Sequence, residues 1–288
     1  MLVAHSAATG FTVDPLQVVP IVVVGLLYWR RAHRLAGRGA PVPGWRQASF
    51  YTGLGILLVA LVSPVDRLGE EDFFFMHMLQ HVLLGDLAPL AIVAGLTGPL
   101  LRPVLAIRVF DDLRVLGHPF VALPLWAVNL YAWHLPSLYQ AALHHDAIHA
   151  LEHACFFTFG ALMWAPVVEV LPAPEWFGSG AKLGYIAVVR GIETVLGNVF
   201  IWSSSVFYPW YVHTHAIWGI SPIRDQNLAG VVMMSEGGIV TLAALCWLFL
   251  RMAAEGELRQ QLLESGLDPR AVRRAVRYGR GKELSEAR

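Results

Sequence analysis

Charged residues are scarce in this sequence. They make up 15% of its 288 residues, whereas soluble domains carry about 25%. Hydrophobic residues make up 56% of the chain, above the roughly 45–50% of soluble domains. The formal net charge is zero, which excludes an overall basic field that would attract nucleic acid. These figures indicate a membrane protein without a nucleic-acid partner.

Cysteine and N-terminal basic residues are scarce as well. The two cysteines, Cys155 and Cys246, lie in apolar segments and form no C-x-x-C motif. This excludes a disulfide framework and a zinc knuckle. No Lys or Arg precedes the first apolar run in MLVAHSAATG, so the charged region of a cleaved signal peptide is missing. We therefore expect the first apolar segment to remain in the protein.

Long apolar runs are the main feature that the sequence does contain. A helix needs about 20 mostly apolar residues to cross a bilayer, and seven stretches of this sequence qualify. They cover residues 16–33, 47–65, 73–98, 118–135, 146–170, 184–206 and 229–251. The predicted fold is therefore all-α: a polytopic membrane protein with seven transmembrane helices in one bundle, at residues 1–252. Residues 253–288 are predicted to form a cytoplasmic C-terminal tail.

The distribution of basic residues predicts the orientation of these helices. Connections on the cytoplasmic side of membrane proteins are enriched in Lys and Arg. The first connection, the third connection and the C-terminal tail carry most of the basic residues here, among them Arg30, Arg31, Arg34, Arg38, Arg46, Arg102, Arg108, Arg114, Arg273 and Arg274. This pattern places the N-terminus outside and the C-terminus in the cytoplasm.

Histidine is the second abundant feature, and its placement indicates a metal site. In the predicted topology, all of the histidines except His33 and His118 fall on the outer side. The stretch FFFMHMLQH places His77 and His81 four residues apart, and His149 and His153 repeat that spacing on another helix. Residues four apart share one helical face, so each pair can hold one metal ion between two imidazoles. The alternative is that these histidines only form hydrogen bonds between helices.

Nearby residues suggest which metal this site would bind. Imidazole suits zinc, copper, iron or nickel, whereas a thioether favours Cu(I). Met78 is close to His81 around the helix, and His134 ends the fourth predicted span. Met78 therefore favours copper, as Cu(I), without excluding the other metals, and we predict a metal site formed by His77, Met78, His81, His134, His149 and His153.

Three sequence blocks, read in order, resemble a known family. They are MHMLQHVLLGDLAPLAIVAGLTGPLL, WHLPSLYQAALHHDAIHALEHACFFTFGALMWAPV and DQNLAGVVMM. Over roughly residues 60–252 the chain resembles the integral-membrane CtaG family of cytochrome c oxidase assembly factors. The resemblance assigns His77, Met78, His81, His134, His149, His153 and Asp225 to the family motifs. Asp86 and Asn227 depart from the family pattern, and neither change removes an imidazole or thioether ligand.

The resemblance implies an assembly factor rather than an enzyme. Its partners would be cytochrome c oxidase subunits and membrane lipids, and its location the bacterial cell membrane as a multi-pass protein. Three alternatives stay open from the residues alone: a membrane di-iron protein, a haem-binding redox protein, and a metal-free protein that holds an oxidase subunit. The sequence also leaves open whether the chain forms a homo-oligomer.

Overall fold

The structure is a computed structural model of the chain, and it describes residue 11, residues 13–107, 115–170, 173–213 and 218–277, and residues 281 and 284. Helices dominate this described part, in which no strand occurs. In chain order the helices are α1 (Pro15–Ala36), α2 (Gly44–Val62), α3 (Pro64–Glu71), α4 (Phe74–Val82), α5 (Ala88–Gly95), α6 (Gly98–Leu105), α7 (Pro119–Trp133), α8 (Pro136–His144), α9 (Asp146–Val168), α10 (Ser179–Trp202), α11 (Pro222–Glu264) and α12 (Pro269–Arg277). A π-helical turn (Leu83–Leu87) joins α4 to α5, and a 3₁₀ turn (Pro209–His213) precedes α11. The predicted all-α class is confirmed.

Five stretches of the described chain are long and apolar enough to cross a membrane. They are Gly44–Val62, Phe74–Gly95, Asp146–Val168, Ser179–Trp202 and Pro222–Glu264. The first and fourth predicted spans correspond to α1 and α7, which are not among these five. The α7 helix has only 15 residues, fewer than the roughly 20 that a span needs, and α1 carries arginines in its last two turns. The multi-pass character is supported, whereas the count of seven and the orientation stay predictions.

The chain divides into two compact units. The first contains Met1–Ala173 and Ile192–Glu236, and it holds all the predicted metal-site residues. The second contains Pro174–Gly191 and Gly237–Arg288. Within the second unit, Asp268 caps α12 by accepting hydrogen bonds from the Arg270 and Ala271 amides. The predicted domain boundary at residue 252 lies inside α11, and it stays a prediction.

The π-helical turn between α4 and α5 packs closely against α9. A π turn inserts an extra residue into a helix and is frequent at functional sites. Gly160 of α9 faces the Gly85 carbonyl so closely that a side-chain carbon at Gly160 would overlap it. Gly85 lies one helical turn after His81, and Gly160 lies about two turns after His153. The two glycines therefore let α4 and α9 approach each other just below their histidines.

The short helix α3 turns back over the start of α4. Ser63 begins it by accepting a hydrogen bond from the Val65 amide, as a helix N-cap does. Gly69, near its end, lies against the backbone of His77, where a side-chain carbon would come within 2.9 Å of the His77 nitrogen. This close contact brings the neighbouring Glu70 to the edge of the histidine cluster.

Candidate metal centre

Helices α4 and α9 bring two pairs of histidines together inside the first unit. The ring centroids of His77 and His81 are 4.3 Å apart, and those of His149 and His153 are 4.1 Å apart. Across the two helices, His77 lies 5.3 Å from His149, and His81 lies 5.9 Å from His153. All four side chains are buried. The sequence prediction that the two pairs share one site agrees with this geometry, while their role as ligands stays a prediction.

The His77 and His81 rings face each other through ligand atoms. Their Nε2 atoms are 2.8 Å apart. This is the distance of a hydrogen bond between the two rings, whereas two nitrogens bound at about 2.0 to 2.1 Å to one tetrahedral metal stand about 3.3 Å apart. The pair would therefore open by roughly 0.5 Å to hold one metal ion between its nitrogens.

The tautomer of His77 is set by two tyrosines. The Tyr211 hydroxyl donates to the Gly69 carbonyl at 2.8 Å. Since that hydroxyl has a single proton, His77 donates its Nδ1–H to the Tyr211 oxygen at 3.1 Å, and Tyr139 donates to the same oxygen at 3.0 Å. Burial raises the pKa of the Tyr211 hydroxyl well above its ordinary value, which keeps it protonated. The His77 Nε2 lone pair is thereby directed into the cluster.

His149 is oriented in the same way by a carboxylate. Its Nδ1 lies 2.9 Å from Glu70 Oε1, so Nδ1–H donates to Glu70 and Nε2 keeps its lone pair. Metal-ligating histidines commonly donate their other ring N–H to a carboxylate in this manner. Glu70 could not be predicted from the sequence, because no local motif connects it to His149, which lies 79 positions further along the chain.

Glu152 completes the cluster with a fully buried carboxylate. Its oxygens lie 3.6 Å from His81 Nε2 and 3.9 Å from His77 Nε2. Neither oxygen has a hydrogen-bond partner among the described residues, and the same holds for the Nε2 atoms of His149 and His153. Buried polar groups without partners are costly, and in folded proteins such groups are commonly satisfied by a bound ion or water molecule. The four unpartnered atoms are all of a kind that binds metal ions.

Two overlapping triads within this cluster have ligand atoms close enough for one ion. One is His77, His81 and His153, and the other is His77, His149 and Glu152; in each, the ligand atoms lie within 4.8 Å of one another. An imidazole and carboxylate set of this kind suits a borderline divalent metal such as zinc or copper. Glu152 lies three residues after His149 on α9 and therefore shares its helical face.

Met78 and His134 form a separate pair beside this cluster. The Met78 Sδ atom is 3.3 Å from His134 Nε2. His134 donates its Nδ1–H to the Leu130 carbonyl at 2.7 Å, so in the neutral ring Nε2 presents a lone pair to the sulfur. Two ligand atoms facing each other form a softer donor set than the histidine–carboxylate cluster. The His134 and His81 rings are 6.1 Å apart, so the pair adjoins the cluster.

A small cavity lies beside this pair. It has a volume of about 50 Å³ and is lined by Met78, His81, Asp86, Glu193 and Glu236, among other residues. Asp86, the residue that departs from the family pattern, accepts a hydrogen bond from the Trp164 indole. Asp86 thus has a structural partner, and its position next to the donor atoms of the site was not predictable from its sequence position.

The remaining histidines on the predicted outer side stand apart from the cluster. His144 and His145 are exposed, and His144 packs edge-on against Trp210. The His213 side chain, His215 and His5 lie outside the described residues, so the sequence interpretation of these three stays a prediction.

Asp225 holds the start of α4 instead of facing the cluster. Its Oδ2 accepts from the Phe74 amide at 2.8 Å and its Oδ1 accepts from the Phe75 amide at 2.9 Å. These two amides belong to the first turn of α4 and have no partner within that helix. A carboxylate there acts as an N-cap supplied by a distant part of the chain. Asp225 thus positions the helix that carries His77, Met78 and His81.

We expect Asp225→Ala to lower the free energy of unfolding by about 1–2 kcal/mol, because it leaves two buried amides without acceptors. Asp225→Asn, which keeps one oxygen acceptor, should lose less. Thermal unfolding in detergent, followed by circular dichroism, measures the effect. Asp146→Ala is the matched control, since Asp146 is exposed in the first turn of α9. Equal unfolding temperatures for Asp225→Ala and the wild type would contradict the capping role.

The fold and the site together define a class: a helical membrane protein whose interior holds a buried histidine–carboxylate cluster. The family model described as cytochrome c oxidase caa3 assembly factor (Caa3_CtaG) matches residues 26–255. The chain therefore belongs to the cytochrome c oxidase caa3 assembly factor family, and the resemblance drawn from the three sequence blocks is confirmed. No curated protein and no solved structure matches the chain.

Proposed function

We propose that this protein binds a copper ion at the histidine–carboxylate cluster and delivers it to a cytochrome c oxidase during assembly in the bacterial cell membrane. The observation that carries the proposal is the set of buried ligand atoms without partners: Glu152 Oε1 and Oε2, His149 Nε2 and His153 Nε2. Membership of an oxidase assembly family makes copper the relevant cargo, since a haem–copper oxidase contains that metal.

The neighbouring thioether supports Cu(I) as the form that is handled. The cluster alone would accept zinc, copper, iron or nickel, because imidazole binds all four. Met78 adds a soft sulfur donor opposite His134 Nε2 at 3.3 Å, and thioethers select Cu(I). The two donor sets adjoin through His81. Because His81 lies next to both donor sets, copper could pass from one set to the other.

Binding and delivering a copper ion requires no covalent chemistry, which accords with a role other than catalysis. The haem alternative is disfavoured by crowding, because the His81 ring has both Phe156 and His77 at centroid distances of 4.3 Å. The di-iron alternative needs more ligands than the four histidines and one carboxylate of this cluster. A metal-free role in holding an oxidase subunit is the outcome to expect if copper does not bind.

The affinity for Cu(I) tests the proposed cargo. We expect the detergent-purified wild type to bind about one Cu(I) per chain, and Met78→Leu to weaken that binding roughly tenfold while affecting Zn²⁺ less, because leucine removes the soft donor. Competition with a chromogenic Cu(I) chelator measures the affinity.

Met76→Leu is the matched control, because Met76 belongs to the same turn of α4 but is only partly buried and lies on a different side of the helix from Met78. It should keep the wild-type affinity. An equal loss in both methionine variants, or none in Met78→Leu, would overturn the assignment of Met78 to the copper site.

A further inference from the structure

A large apolar groove lies in the first unit, away from the histidine cluster. It has a volume of about 630 Å³ and is lined by α1, α2, α5 and α6 together with Phe157. Pockets that bind small molecules occupy about 300 to 1,000 Å³. Nearly all of the lining side chains are apolar, and Arg31 is the one charged residue among them. The groove therefore fits a long apolar ligand that has one anionic end.

The groove follows one face of α1. Its lining residues there are Pro20, Ile21, Val24, Leu27, Tyr28 and Arg31, which recur at helical spacing. From Pro20 to Arg31 the helix rises by about 16 Å. The hydrocarbon core of a bilayer is about 30 Å thick, so the face has the length of one leaflet. One acyl chain of a lipid spans that same depth.

Arg31 gives the groove a polar end. Its Nη2 donates to the Pro99 carbonyl at 2.9 Å, while its buried Nε has no partner. No acidic side chain among the described residues pairs with this guanidinium. Tyr28, the other polar group in the α1 face, is satisfied by donating to the Gly95 carbonyl at 3.0 Å. The unpaired positive charge of Arg31 thus remains for an anion.

We propose that this groove binds an anionic glycerophospholipid, with one acyl chain along α1 and the phosphate on Arg31. A guanidinium matches phosphate geometry with two N–H donors. The groove would therefore hold an acyl chain of the lipid, while Arg31 would favour lipids that carry a net negative charge.

The experiment is native mass spectrometry of the full chain released from detergent micelles with either phosphatidylglycerol or phosphatidylcholine. We expect the wild type to retain phosphatidylglycerol in preference to phosphatidylcholine. Arg31→Gln should lower phosphatidylglycerol binding about fivefold, the effect of one basic residue at an anionic headgroup, and leave phosphatidylcholine unchanged. Val24→Trp should reduce both lipids, because it fills the groove.

Two neighbouring residues supply matched controls. Arg34→Gln removes an equivalent charge outside the groove, and Val23→Trp enlarges a valine that is 46% exposed, against 45% for Val24, but does not line the groove. Both should retain the lipid as the wild type does. Equal retention of the two lipids by the wild type, or equal losses in the controls, would overturn the proposal. Retention of neither lipid would overturn it too, leaving the groove for an apolar helix of a partner.

Discussion

Replacing His77, His81, His149 and His153 together by alanine will abolish copper binding. We expect the metal content after Cu(I) loading to fall from about one ion per chain to near zero, because the change removes every imidazole of both ligand triads. Elemental analysis of the detergent-purified protein measures this content, and circular dichroism reports whether the helices remain. In cells that produce the variant, the cytochrome c oxidase should be assembled with less copper.

The control for this loss is the double variant His144→Ala, His145→Ala. Both residues are exposed and lie in the connection that leads into α9, so this variant should bind copper as the wild type does. If neither the wild type nor the four-histidine variant binds copper while both keep their helices, the metal proposal fails. The histidines would then be structural, and the protein would assist assembly by holding an oxidase subunit.

The histidine pairs could be predicted because their spacing is local. A separation of four residues places two side chains on one helical face regardless of the tertiary fold, so the pairs His77/His81 and His149/His153 were visible in the sequence. Hydrophobic length likewise located the helices, and the predicted span at 146–170 corresponds to Asp146–Val168. However, the hydropathy of a sequence shows which residues lie in the membrane and does not show where a helix begins or ends. The α11 helix therefore extends well past the predicted 229–251, from Pro222 to Glu264.

The residues that orient the ligands could not be predicted, because they come from distant parts of the chain. Tyr211 lies 134 positions from His77, and the 3₁₀ turn that carries it has no apolar periodicity to place it. Met78 and His134 were both predicted to belong to the site, but the direct contact of the Met78 sulfur with His134, 56 positions away, could not be predicted. Such contacts depend on how helices pack, and small residues such as Gly160 control that packing without any chemical signature of a metal site.

Glu152→Gln will have opposite effects on metal binding and on the stability of the metal-free protein. We expect the affinity for copper to fall about 100-fold or more, because the change removes the carboxylate ligand of the triad that Glu152 forms with His77 and His149. In the metal-free protein the free energy of unfolding should rise by about 1–2 kcal/mol. Glutamine removes a buried acid without partners and supplies N–H donors to nearby imidazoles. Chelator competition and thermal unfolding in detergent measure the two effects.

These opposite signs distinguish a ligand from a structural residue. If Glu152 stabilised the helix packing, its replacement would lower the stability of the metal-free protein, and copper affinity would fall only as a consequence. If Glu152 is instead a metal ligand, adding copper should stabilise the folded wild type, because any ligand that binds only the folded state does so. Glu152→Gln should lose that stabilisation by copper. Glu71→Gln is the control, since Glu71 is exposed and pairs with Arg67 at 3.2 Å. Unchanged copper affinity in Glu152→Gln would remove the carboxylate from the proposed site and leave a site made of imidazoles alone.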